Sequence, residues 1–103
     1  MRRGDVRWYR FARPDKQRPV VVLTRDAALE FLAEVTVAPV TSRIRDIPTE
    51  VVLTSDDGLP RTCAANLDHV QTVSRTRVGS LITTLRAGRM RQIADALRFA
   101  LDV

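Results

Sequence analysis

The chain has 103 residues, 45% of them hydrophobic and 28% charged, enough for one core and too few for two. That balance excludes a disordered polymer, and no apolar run approaches membrane-spanning length. A net charge of +5 puts an anionic partner first, either nucleic acid or an acidic protein segment. Lys16 is the only lysine among the 17 basic residues. An arginine-rich ratio suits bidentate phosphate contacts, but a GC-rich genome produces it as readily.

Residues 1–103 are expected to form one domain. Asp5 to Phe11, with Val6, Trp8 and Tyr9 between charged residues, reads as a first strand. Arg13-Pro14-Asp15-Lys16-Gln17 is a turn-forming loop short enough for a hairpin. The strand from Pro19 to Thr24 is apolar throughout and should be central, covered on both faces. Asp26 is placed to cap a short helix over Ala27–Leu32, with Ala28, Leu29 and Leu32 inward. A third strand, Val35 to Val40, ends on Thr41-Ser42-Arg43.

A charged loop, residues 42–48, leads to a fourth strand over Thr49–Thr54. Ser55-Asp56-Asp57-Gly58-Leu59-Pro60 is a turn whose glycine tolerates positive φ. Alternation from Thr62 to Val73 predicts one long strand, with Cys63, Leu67, His69 and Val73 on one face and Asn66 and Asp68 on the other. Gly79 to Leu85 fits a last strand. Met90, Ile93, Ala94, Leu97 and Leu101 form the apolar stripe of a terminal helix, with Arg89, Arg91, Gln92, Asp95 and Arg98 outward. The whole predicts a mainly β fold, a small curved antiparallel sheet or barrel with a C-terminal amphipathic helix.

Cys63 and His69 are the only residues of their kinds, which rules out an intrachain disulfide and makes a His/Cys metal site implausible. No apolar segment follows the basic N-terminus Met1–Asp5, so the expected location is cytoplasmic. If the strands on either side of Asp26 pair antiparallel, Arg18 at the entrance of one and Thr41 at the exit of the other meet on one rim. A guanidinium and a hydroxyl converging there suit a phosphate. In isolation, Arg18 reads as an exposed strand-end arginine and Thr41 as a β-former. His69 shares its face with Leu67 and Val73, which favours packing over catalysis. Trp8 or Phe11 can stack on a base, although barrel packing is their commoner use.

Met1-Arg2-Arg3-Gly4-Asp5-Val6, Trp8 and Arg18-Pro19-Val20-Val21-Val22 resemble the opening of the MazF/PemK family of toxin endoribonucleases. Val37-Ala38-Pro39-Val40-Thr41-Ser42, Gly58-Leu59-Pro60, Asp68 with Thr72-Val73, and Ala96-Leu97-Arg98-Phe99-Ala100-Leu101 keep that family's order and spacing over nearly the whole chain. The resemblance implies an SH3-like barrel acting as a homodimer. It also implies sequence-specific, metal-independent cleavage of single-stranded RNA, silenced by a cognate antitoxin with an acidic, disordered C-terminal segment. No cofactor is implied.

By the same resemblance Arg18 and Thr41 are the catalytic candidates. Arg18 suits charge stabilisation better than general base chemistry, because a guanidinium stays protonated. The RNA-binding candidates are Arg13, Asp15, Lys16 and Gln17 before Arg18, Ser42, Arg43 and Arg45 after Thr41, and Asp68 and His69 further on. The loop before Arg18 and the segment from Asp68 to Ser74 depart from the family pattern, so the cut sequence does not carry over. Two alternatives keep the fold. A gyrase-poisoning toxin usually ends Trp-Gly-Ile, whereas this chain ends Leu101-Asp102-Val103. A non-catalytic RNA-binding barrel needs neither Arg18 nor Thr41.

Overall fold

Two central strands are apolar on both faces, and the remaining chain is wrapped to cover them. The computed structural model describes residues 1–11 and 17–103. In chain order these form β1 (Asp5–Arg10), β2 (Gln17–Val22), α1 (Asp26–Leu29), β3 (Glu34–Thr41), β4 (Glu50–Leu53), β5 (Cys63–Asn66), β6 (Gln71–Ser74), β7 (Val78–Thr84) and α2 (Ala87–Leu101). The sheet is antiparallel with order β4-β5-β3-β2-β1-β7, and β6 joins the first half of β3. Alternate residues of β2 and β3 feed two cores. Val21, Ala38 and Val40 join one with Leu53, Leu67 and Ile93, while Val20, Val22, Val35 and Val37 join another with Tyr9 and Leu29. The expectation of a central strand covered on both sides is met.

β4 and β7 end the hydrogen-bonded order, and the sheet is not closed by a ladder. The turn after β4 bridges the gap with side chains. Thr54 caps a 3-10 turn over Ser55–Asp57, and the Asp57 carboxylate accepts from the Thr54 N–H at 2.9 Å. Thr83 of β7 donates to the Asp57 carbonyl at 3.1 Å, and Arg89 of α2 donates to the Asp57 carboxylate at 2.9 Å. The Arg89 hydrogen bond, with help from the Thr54 N–H, overcomes partial burial and holds the Asp57 carboxyl below its ordinary pKa. The fold is thus barrel-like, with one seam closed by side chains.

A second polar knot ties β1 to β7. Asp5, 3% exposed, accepts from Thr84 Oγ1 at 2.8 Å, the Arg2 N–H at 2.9 Å and Arg7 Nε at 3.2 Å. Burial pushes its carboxyl up, but those donors together pull it below the usual value.

Several boundaries differ from the sequence reading. The long strand predicted over Thr62–Val73 is broken, because Asn66 Oδ1 accepts the Asp68 N–H at 2.9 Å and starts a 3-10 turn over Leu67–His69. Leu67 and Val73 therefore enter opposite cores, Asn66 is buried, and His69 is exposed rather than packed. Asp26 does not cap α1. Its carboxylate accepts the Arg3 N–H at 2.8 Å, and α1 ends at Leu29, leaving Leu32 half-exposed. On α2 the buried stripe is Ile93 and Ala96, flanked by Met90, Leu97 and Ala100, whereas Leu101 is 54% exposed and Arg89 turns inward to Asp57. Among the described residues, no helix is long and apolar enough to cross a membrane.

The seam gives a stability prediction. Gly58 has φ of +95°, and a Cβ there would sit 2.4 Å from Thr83 Oγ1. Replacing Gly58 with alanine should therefore cost about 1–3 kcal/mol, through backbone strain and loss of the Thr83 contact. The measurement is the urea midpoint, and a midpoint equal to that of the unaltered chain would refute the account of the seam.

Candidate active site

β2 and β3 pair with Val20 opposite Pro39 and Val22 opposite Val37. Beyond the last bonded pair both strands run on to the same rim, where Arg18 and Thr41 line the same two depressions, at the one end of the sheet that the sequence reading expects. Both residues have inward neighbours fixed in the core, so neither strand end is free to drift. The β3 end is held further by β5, where Val40 faces Ala65 and Thr41 faces Ala64. The Thr41 hydroxyl oxygen accepts the Arg43 N–H at 3.1 Å, which leaves its own O–H to donate outward.

Arg18 and Thr41 stand on a saddle between two depressions. The larger, about 690 Å³, is lined by Gln17, Arg18, Ser42, Arg43, Arg45 and Arg61, with Trp8, Pro19, Leu59 and Pro60 supplying apolar wall. The smaller, about 350 Å³, adds Phe11, Asn66, His69 and Gln71 to Arg18, Thr41 and Arg45. Four arginines and no carboxylate line the larger depression among the described residues, so its field favours an anion throughout the physiological pH range.

The structure brings Arg18, Thr41, Gln17, Ser42, Arg43 and Arg45 to the larger depression, and His69 to the smaller one. Asp68 lines neither. Its carboxylate accepts from Thr49 Oγ1 at 2.7 Å and braces the turn that carries His69. Arg13, Asp15 and Lys16 lie outside the described residues. Cys63 contributes to the wall of the larger depression but is 4% exposed, and burial pushes its thiol up, so it is a wall residue rather than a nucleophile. Phe11 stacks edge-on against Tyr9 with centroids 4.9 Å apart, which fixes its ring at the mouth of the smaller depression.

Sequence reasoning missed Arg61, Asn66 and Gln71. Arg61 reaches the groove because the Ser55–Pro60 turn folds back, which no local periodicity encodes. Asn66 and Gln71 were hidden by the reading of one continuous strand. The signal present was an asparagine two residues before an aspartate, a pattern that breaks strands.

Comparison with known proteins finds relatives along nearly the whole chain. The model of a family described as PemK-like, MazF-like toxin of type II toxin-antitoxin system matches residues 2–101. A protein of Mycobacterium tuberculosis named probable endoribonuclease MazF5 is 45% identical over 101 residues, 97% of this chain and 92% of the relative. Endoribonuclease MazF3 of the same species is 36% identical over 92 residues, 89% of each chain. The solved structure of Mycobacterium tuberculosis toxin MazF-mt6 superposes with a TM-score of 0.88 at 32% identity, covering 96% of this chain and 97% of that one.

Proposed function

This chain belongs to the PemK-like, MazF-like toxin family of type II toxin-antitoxin systems, and we propose that it is a cytoplasmic toxin that arrests growth by cutting single-stranded RNA at short sequences. The single observation that carries the reading is that Arg18 and Thr41 line one arginine-rich groove with no carboxylate among the described residues. A homodimeric assembly and neutralisation by an antitoxin with an acidic, disordered C-terminal segment, both implied by the family resemblance, belong to the same proposal. Gyrase poisoning is not favoured, since the curated relatives bear the name endoribonuclease.

The reaction follows from what the rim offers. The 2′-hydroxyl gives up its proton to solvent and attacks the adjacent phosphorus; the O2′–P bond forms, the P–O5′ bond breaks and O5′ takes up a proton from solvent, giving a 2′,3′-cyclic phosphate and a 5′-hydroxyl. Arg18 grips two phosphate oxygens and offsets the charge that grows on them. The Thr41 hydroxyl donates to a non-bridging oxygen. Neither depression offers a carboxylate among the described residues, and a hard divalent cation at a phosphate is normally held by carboxylate oxygens. The donor set therefore suits a metal-independent mechanism, in which guanidinium charge does what a cation does elsewhere. Arg43, Arg45 and Arg61 hold the flanking backbone, while the exposed His69 and Gln71 offer hydrogen-bonding groups to a base in the smaller depression.

Replacing Arg18 or Thr41 with alanine should lower the single-turnover cleavage rate about a hundredfold or more and relieve growth inhibition, with an unchanged urea midpoint. A variant at either position that cuts at the original rate removes it from the mechanism.

An oligonucleotide with one 2′-deoxy sugar on the 5′ side of the cut should resist cleavage while still binding. Its scission at the normal rate would mean that water, not the 2′-hydroxyl, is the nucleophile.

The groove must serve both RNA and the acidic antitoxin segment. Reversing Arg43 and Arg45 to glutamate should weaken both ligands, and the salt dependence of both should flatten. The same reversal at Arg91 and Arg98, on the exposed face of α2, should leave both affinities unchanged. The reverse pattern in a binding titration across a salt series would move the binding face to the helix side.

A further inference from the structure

The loop after Thr41 has no regular secondary structure up to the turn at 48–49, yet its Arg45 lines both depressions. What holds it there is Glu50, the first residue of β4. The Glu50 side chain is 1% exposed, and it accepts the Arg45 N–H at 2.8 Å and Arg45 NH1 at 3.4 Å. Among the described residues both hydrogen bonds of this carboxylate go to Arg45. A buried carboxylate is costly unless its partners are well placed, and this one has spent that burial on one half-exposed arginine. The Glu50 N–H also donates to the Ile47 carbonyl at 3.0 Å, and Asp46 sits at φ of +55°, so residues 45–50 close into a tight ring. Glu50 faces Asn66 across the β4–β5 ladder, and Asn66 is itself a lining residue of the smaller depression.

We infer that Glu50 is a positioning residue, which holds the Arg45 guanidinium over the saddle so that it meets the RNA backbone already ordered. The inference rests on the RNA-cleaving reading of the groove. A guanidinium has five N–H donors, so the contact with Glu50 leaves others to face a phosphate. An untethered arginine on an irregular loop would lose that rotamer freedom on each binding event; the tether removes the cost beforehand. The sign of the effect separates this role from simple electrostatics. A carboxylate beside a cationic groove repels RNA through space, so neutralising it should tighten binding if charge were its only contribution. As a positioning residue, its neutralisation weakens binding instead.

The test is a double-mutant cycle on the full chain, using a short RNA with 2′-O-methyl sugars as a non-cleavable probe and fluorescence anisotropy over a salt series. Glu50→Gln should weaken binding roughly three- to tenfold, and Arg45→Ala roughly tenfold. The double variant should bind no worse than Arg45→Ala alone, because Glu50 acts only through Arg45. Arg45→Ala should also reduce the salt slope by about one, as expected for one lost phosphate contact. Glu50→Asp keeps the charge one methylene short of its partner, so it should weaken binding with no gain from neutralisation, and it serves if the glutamine variant does not fold. Tighter or unchanged binding by Glu50→Gln, unchanged binding by Glu50→Asp, or additive losses in the double variant each overturn the positioning role. Unaltered affinity and salt slope in Arg45→Ala would instead overturn the groove itself.

Discussion

The β2–β3 ladder is the constraint from which the rest of the molecule follows. Its residues are buried on both faces, so slipping the register by one residue would exchange the contents of two separate cores. A register fixed that firmly fixes whatever stands at the strand ends. Arg18 and Thr41 reach one rim because Val20, Val22, Val35 and Val37 on one side, and Val21, Ala38 and Val40 on the other, have nowhere else to go. The valines and Ala38 at the centre of these strands face the two cores, which leaves the strand ends to carry the proposed site.

Around that ladder the fold is held by a few polar knots at places the ladder does not reach. Asp5 joins β1 to β7 near the N-terminus, Asp57 joins the turn after β4 to β7 and α2, and Asp68 braces the turn carrying His69. Each is a carboxylate with specific donors, in a chain that carries an excess of arginine. The anions are used inside the framework, and the lining of the groove is left cationic. The +5 charge is thus sorted in space: these three carboxylates tie elements together, and four guanidinium groups gather at the rim.

The sequence made legible what depends on period and on local turn chemistry. Apolar runs located β2 and β3, Asp57-Gly58 located the turn, and helical spacing located α2. The Arg18–Thr41 convergence was legible because antiparallel pairing of neighbouring strands is the simplest way to connect them, and the short α1 crossing allows it. Where side chains bond to backbone, the reading failed. Asn66 ended a strand whose hydrophobic alternation continued past it, and Asp26 gave its carboxylate to Arg3 rather than to its own helix. Arg61, Gln71 and the Glu50 tether became visible only once distant segments were folded onto one rim, since their roles come from tertiary placement alone.

In the proposed function, the pair that acts on the phosphate and the groups that bind the rest of the RNA are mounted differently. Arg18 and Thr41 stand at the ends of strands whose central residues are core, whereas Arg43 and Arg61, beside the backbone path, sit in irregular segments and His69, on the base side, on a single 3-10 turn, all exposed to solvent. Substitution at such positions disturbs little packing, while substitution near the anchored pair disturbs a core. A lineage of such proteins can therefore alter the RNA sequence it recognises without rebuilding the means by which it breaks the chain. Divergence in target and constancy in chemistry are then two results of one architecture.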